Sequence, residues 1–169
     1  YLDRMTFINK DGDTCEFTKL QKHDLNLVLQ KHYALLNWQQ GSGKTAAVYH
    51  RAKYLLKFHK VRNAVILAPA IATNMTWIPF LSMNRERFRV VRNNTDLETV
   101  PEGVFLILST SMLSKLERGL SKFVRRTSGK LCLVFDESDE ITNPSSQRTR
   151  HILSIFRRLK YKILDTGTT

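Results

Sequence analysis

The chain is short of several things, and each shortage narrows what it can be. It has two cysteines, Cys15 and Cys132, far apart in sequence. That is no disulfide framework, and two thiols cannot make a zinc site alone. Cys132 lies in an apolar run and reads as a small buried hydrophobe, so a reducing, intracellular compartment is expected. No apolar run approaches the roughly 20 residues that cross a bilayer. The first residues, Tyr1-Leu2-Asp3-Arg4-Met5, are mixed and polar, unlike a secretory leader. No membrane partner is expected. Repeats, Gly/Ser linkers and low-complexity tracts are missing too. Acid is scarce: 15 Asp and Glu stand against 27 Lys and Arg, a net charge of +12. Such an excess favours polyanions, of which nucleic acid is the commonest. A basic, merely solvated surface would give the same count. What remains, 169 residues of which 42% are hydrophobic, suits one globular domain with a core.

Residues 1–18 read as an N-terminal appendage. Thr6-Phe7-Ile8 and Cys15-Glu16-Phe17 flank the turn signal Asp11-Gly12, which predicts a hairpin. Thr18 is placed to cap a helix from Lys19 to about His32, with Leu20, Leu27 and Val28 near one face. From there strand and helix alternate. Ala34-Leu35-Leu36, Ala64 to Ala68, Phe88 to Val91, Val104 to Leu108, Leu131 to Phe135 and Tyr161 to Leu164 read as strands. Residues 45–59, 74–81, 112–125 and 144–160 read as helices. The apolar positions Val48, Ala52, Leu55, Leu56 and His59 recur at helical spacing in the first of these. Leu113, Leu116, Leu120 and Phe123 do so in the third. Pro144 fits a first turn, and Ile152, Ile155, Phe156 and Leu159 form the stripe of the last helix. The arginines there read as a solvated face. Continuous apolar strands alternating with helices predict an α/β fold, a parallel sheet with helices on both faces.

The segment Gly41-Ser42-Gly43-Lys44-Thr45 follows the first strand and opens a helix. Glycine there permits a tight turn and lets backbone approach phosphate oxygens. The N–H groups and helix N-terminus then face the anion. Lys44 supplies charge to the β and γ phosphates, and the Thr45 hydroxyl suits magnesium. This is a P-loop, although Trp38 stands where the full pattern has a glycine. A second acidic segment, Asp136-Glu137-Ser138-Asp139, directly follows a buried strand. In a parallel sheet the strand C-termini line the ligand crevice. Asp136 is therefore a candidate to hold magnesium, and Glu137 to orient an attacking water. An acidic loop capping the next helix is the plainer alternative.

Further segments come in a telling order. They are Leu67-Ala68-Pro69-Ala70 with Trp77 downstream, Ser109-Thr110-Ser111, Asp136 to Asp139, Asn143-Pro144-Ser145-Ser146 and Thr166-Gly167-Thr168. Together they resemble helicase superfamily two over about residues 19 to 169. The tryptophan and the Asn-Pro-Ser-Ser segment make the chain most similar to the Swi/Snf-type DNA-dependent ATPases. Three positions depart from that pattern. Asp139 replaces the usual histidine, Ser111 the usual tyrosine, and the chain ends at Thr169 where proline is usual.

The resemblance implies a RecA-like ATP-binding lobe that uses ATP and Mg2+, and a nucleic acid partner, duplex DNA first. Strand-separating helicase action and a P-loop regulatory module are alternatives. Gln21 would contact adenine; otherwise it is a solvated helical glutamine. Gly41, Ser42, Gly43, Lys44 and Thr45 would hold phosphate and metal. Pro69, Thr110 and Ser111 would lie near the nucleic-acid backbone; a helix cap explains Thr110 and Ser111 as well. Thr166, Gly167 and Thr168 would couple the two sites. Trp77 reads as core packing. The chain starts without methionine and stops after a strand, so it reads as a piece of a longer protein with a second RecA-like lobe after it. Alone, it is expected to bind ATP weakly and hydrolyse it slowly or not at all.

Overall fold

A computed structural model describes residues 4–29, 31–39, 41–136 and 145–166. Strands β1 (Thr6–Ile8) and β2 (Thr14–Glu16) form an antiparallel hairpin. Its turn is organised by Asn9, whose Oδ1 accepts the N–H groups of Asp11 (2.9 Å) and Asp13 (2.8 Å). Gly12 supplies the left-handed residue, at φ 88°. Helix α1 (Lys19–Val28) follows. Thr18 and Gln21 close a reciprocal capping box at its start, satisfying two otherwise orphaned N–H groups.

The remaining strands are β3 (Tyr33–Leu36), β4 (Asn63–Ala68), β5 (Phe88–Val90), β6 (Phe105–Ser109), β7 (Leu131–Phe135) and β8 (Tyr161–Asp165). They build one six-stranded sheet in the order β3-β8-β7-β4-β6-β5. Every described pairing in it is parallel. The helices between are α2 (Lys44–Lys57), α3 (Ala70–Ala72), α4 (Ile78–Met83), α5 (Leu113–Arg126) and α6 (Gln147–Phe156). A π-helical segment, Thr73–Trp77, joins α3 to α4.

Side-chain alternation splits the core in two. Ala64, Ile66 and Ala68 of β4 face one side, with Leu25 of α1, Ala47, Val48 and Leu55 of α2, and Trp77 and Leu81. Val65 and Leu67 face the other, against Leu116, Leu120 and Phe123 of α5 and Ile152, Ile155 and Phe156 of α6. A sheet apolar on both faces needs cover on both, which gives the α/β layering expected from the sequence.

Some boundaries and faces differ from expectation. Helix α1 ends at Val28 rather than His32, because the chain must turn to enter β3 at Tyr33. Leu20 and Leu27 are exposed, at 72% and 56%; Leu25 and Leu29 are the buried residues. That i, i+4 pair is the narrower stripe, and both residues belong to the first core cluster. Helix α2 stops at Lys57, so His59 lies past its end with φ 51°. The helical stretch predicted over 74–81 starts earlier, at Ala70 directly after Pro69. Helix α6 starts at Gln147, where the Ser146 hydroxyl accepts the Thr149 N–H at 3.1 Å. Pro144, expected in its first turn, lies outside the described residues.

The hairpin packs on the lobe. Met5 and Phe17 are buried within the first core cluster. Phe7 meets Phe17 and Phe80 at ring-centroid distances of 5.2 and 6.3 Å. Asn84 receives the Ile8 N–H through Oδ1 (2.8 Å) and donates from Nδ2 to the Ile8 carbonyl (3.0 Å). Beneath the hairpin His50 is buried, with Nε2 3.1 Å from the Thr6 carbonyl. Burial, then the nearby Lys53 charge, lowers its pKa to about 4.

Candidate functional site

All strands of the main sheet run the same way, so their C-terminal ends share one edge. β3 runs towards the glycine loop, β4 into Pro69, β6 into Ser109–Ser111, β7 into Asp136 and β8 into Thr166. The sequence motifs are therefore neighbours for a topological reason: successive parallel strands deliver successive loops to one crevice.

The glycine loop has the backbone its composition demands. Gly41 and Gly43 take φ of 78° and 81°, the left-handed region that other residues adopt at a cost. Gly43 is also the N-cap of α2, and among the described residues no side chain caps that end. The first N–H groups of a 14-residue helix are thus available to an anion. Lys44 Nζ donates to the carbonyls of Trp38 and Thr166, both at 3.0 Å. The ammonium bridges the loop after β3 and the end of β8, and among the described residues its third N–H has no partner, so it can meet an anion.

A cleft of about 680 Å³ opens beside the loop, lined by Gly41, Gly43, Lys44, Thr45 and Asp136. These five come from opposite halves of the sequence. Thr45 and Asp136 offer a hydroxyl and a carboxylate, both hard oxygen donors. No cluster of three or more His, Cys, Asp or Glu exists among the described residues. That set suits magnesium, which usually keeps several waters and relies on one or two carboxylates plus substrate phosphates.

Other candidates fall differently. The Gln21 carboxamide is engaged at both ends: Oε1 accepts the Thr18 N–H (2.7 Å) and Nε2 donates to the Ser42 carbonyl (2.8 Å). It braces the glycine loop from α1. The Ser42 hydroxyl donates to the Gln39 carbonyl at 2.5 Å. Pro69 precedes α3 as its N-cap. Thr110 is buried, whereas Ser111 is exposed and its N–H meets Ser109 Oγ at 3.3 Å. Thr166 is buried; its N–H reaches the Leu36 carbonyl at 3.3 Å and its carbonyl receives Lys44. Glu137, Gly167 and Thr168 lie outside the described residues.

Sequence reasoning missed three features. The hairpin residues Phe7, Asn9 and Lys10 line the cleft; nothing local in residues 1–18 marks them, because only the docking of the hairpin brings them there. Trp38 occupies the missing-glycine position, and its indole N–H donates to Asp24 of α1 at 3.3 Å. Trp77 is buried as expected, yet its Nε1 donates to Asp136 Oδ2 at 2.6 Å.

Fold and site together define a class: an α/β P-loop NTPase lobe of RecA type. Comparison with solved structures bears this out. The chain is similar to the Sulfolobus solfataricus SWI2/SNF2 ATPase core in complex with dsDNA, with a TM-score of 0.71 and 17% identity over 92% of this chain and 32% of that one. It is similar to the UvsW helicase of bacteriophage T4, at TM-score 0.69 and 13% identity over 99% of this chain and 57% of that one. A weaker likeness, at TM-score 0.54 and 14% identity, covers 82% of this chain and 66% of the genome packaging NTPase B204 from Sulfolobus turreted icosahedral virus 2, in complex with ATP-gammaS. The chain thus spans about a third to a little over half of the first two proteins. Searches with the sequence match no family model and no curated protein. These likenesses show the fold, a RecA-like lobe similar to those of the SWI2/SNF2 ATPase core and the UvsW helicase.

Proposed function

We propose that the chain is the ATP-binding lobe of a nucleic-acid-dependent ATPase, acting inside the cell as a duplex-DNA translocase of Swi/Snf type. One observation carries the reading: Lys44 and Thr45 of the glycine loop share a cleft with Asp136 from the far end of β7. Phosphoryl transfer asks a protein for position and charge more than for covalent chemistry. The loop N–H groups and Lys44 would hold the β and γ phosphates. Thr45 and Asp136 would hold Mg2+, which neutralises charge on the phosphates when bound. Glu137 would orient the attacking water. Gln21, by bracing the loop at Ser42, would keep its adenine-side role within reach. Pro69, Thr110 and Ser111 would face the nucleic-acid backbone, and Thr166, Gly167 and Thr168 would couple that track to Lys44. A second lobe would add the arginine that stabilises the transition state, so this lobe alone turns over slowly.

The test is ATP hydrolysis by the full-length protein with and without duplex DNA. Stimulation that Lys44→Ala abolishes is expected. Full activity of Lys44→Ala would favour the regulatory-module alternative. The likeness to the UvsW helicase supports a second reading, strand separation. Strand displacement without triplex displacement by the full-length protein would favour it.

A further inference from the structure

Trp77 is a buried aromatic whose polar edge does something that packing does not require. It sits on the π-helical segment between α3 and α4, is 0% exposed, and packs edge-on against Phe80 at 6.4 Å. Its indole N–H donates to Asp136 Oδ2 at 2.6 Å, across 59 residues of sequence. We propose that Trp77 is a positioning residue for Asp136: it holds Oδ2 so that the carboxylate presents Oδ1 towards the cleft and the metal. This rests on the reading of Asp136 as a magnesium-holding residue.

Four physical points carry it. A fully buried N–H needs a partner, and its described partner is this carboxylate, so ring and carboxylate fix each other. At 2.6 Å the bond lies at the short end for an N–H···O contact, so it fixes the carboxylate oxygen closely. The indole nitrogen donates only; it neither titrates near neutrality nor ligates a metal, so it orients Asp136 without competing for the ion. Finally, π-helical segments inside α-helices are rare and recur at functional sites. Here the segment ends at Trp77 itself. Partners of this kind, bonded to a metal ligand, usually change metal affinity roughly 10–100-fold when removed.

The experiment measures binding of a fluorescent ATP analogue to the full-length protein with Mg2+ and with EDTA. Wild type should bind tighter with Mg2+. Trp77→Phe keeps an aromatic ring and loses the donor. It should reduce the Mg2+-dependent gain roughly 10–100-fold and leave affinity in EDTA within about twofold of wild type. Replacing Trp77 by 3-benzothienylalanine keeps the bicyclic shape and exchanges N–H for sulfur. It should reproduce the loss with an unchanged melting temperature, which covers the case in which Trp77→Phe fails to fold. If wild type shows the Mg2+ gain and the benzothienyl variant retains it, Trp77 is structural only and the proposal is overturned. If wild type shows no Mg2+ gain, the magnesium reading of Asp136 fails, and this proposal with it.

Discussion

Arg51 offers the sharpest test of how the glycine loop is supported. It lies on α2, is 0% exposed, and keeps its charge although burial lowers its pKa. Its Nε donates to the Val28 carbonyl at 3.1 Å and its Nη2 to the Lys31 carbonyl at 2.5 Å. A third contact reaches Cys132 Sγ at 3.6 Å. The guanidinium therefore ties the end of α1 to the start of β3, the strand that feeds the glycine loop. Arg51→Met removes the donors and leaves the carbonyls. The Val28 carbonyl retains the Lys31 N–H; the Lys31 carbonyl has no other described donor. Two hydrogen bonds from a charged donor are together worth about 3–5 kcal/mol, a large share of a typical domain's 5–15 kcal/mol or so. At about 2–4 °C per kcal/mol for a domain of this size, the melting temperature should drop by roughly 6–20 °C. Hydrogen exchange should quicken first in residues 31–36. Arg51→Lys should fall between, since a single ammonium cannot span both carbonyls in the guanidinium's fork geometry. A loss below about 1 kcal/mol by urea unfolding would contradict the account, since it would mean that those carbonyls find water at no cost.

Other consequences are more compact. His50 has a folded pKa of about 4 against an ordinary 6.5. Its neutral form is thus favoured by folding, and its stabilisation is complete above pH 6.5 and lost as pH falls towards 4. At most about 3 kcal/mol is involved; urea midpoints should decline across that window for wild type and much less for His50→Gln. Gly43→Ala should weaken nucleotide binding: among the described residues an added Cβ meets only Gln21 Nε2, at 3.7 Å, so the damage is left-handed strain of roughly 1–2 kcal/mol, visible by calorimetry as lost affinity. Lys44→Ala should lower affinity for the phosphate chain roughly tenfold or more; it also loses the bonds to the Trp38 and Thr166 carbonyls, so the melting temperature without nucleotide should fall by a few degrees as well, roughly 2–4 °C per kcal/mol lost. DNA affinity should fall steeply with salt, at a log–log slope of about −0.9 per phosphate contacted; a flat response would remove DNA as the reason for the +12 charge.

The fold was largely legible because its signals are local. Apolar runs such as Leu131 to Phe135 are buried at every position, and stripes such as Leu113, Leu116, Leu120 and Phe123 keep helical spacing and lie in one core cluster. Thr18 as a helix cap is a four-residue pattern and is present as such. Where local signals were weak, expectation slipped. Leu20 and Leu27 look like a stripe, but the two residues buried in the core are Leu25 and Leu29. The start of the helix after β4 was missed because Ala70-Ile71-Ala72 carries no periodic signal of its own.

What the sequence by itself determined was the chemistry available. A left-handed glycine before Lys44-Thr45, and an acid directly after a buried strand, are properties of short segments, and parallel topology then carries those segments to one edge of the sheet. What only the tertiary structure decided was which distant groups meet there. The hairpin read as an appendage supplies a wall of the cleft, Gln21 reaches back to Ser42, and Trp77, a core residue by every local sign, places its one polar atom on Asp136. Such contacts join residues tens of positions apart. They depend on strand order and on how helices dock across the sheet, so no window of sequence contains them.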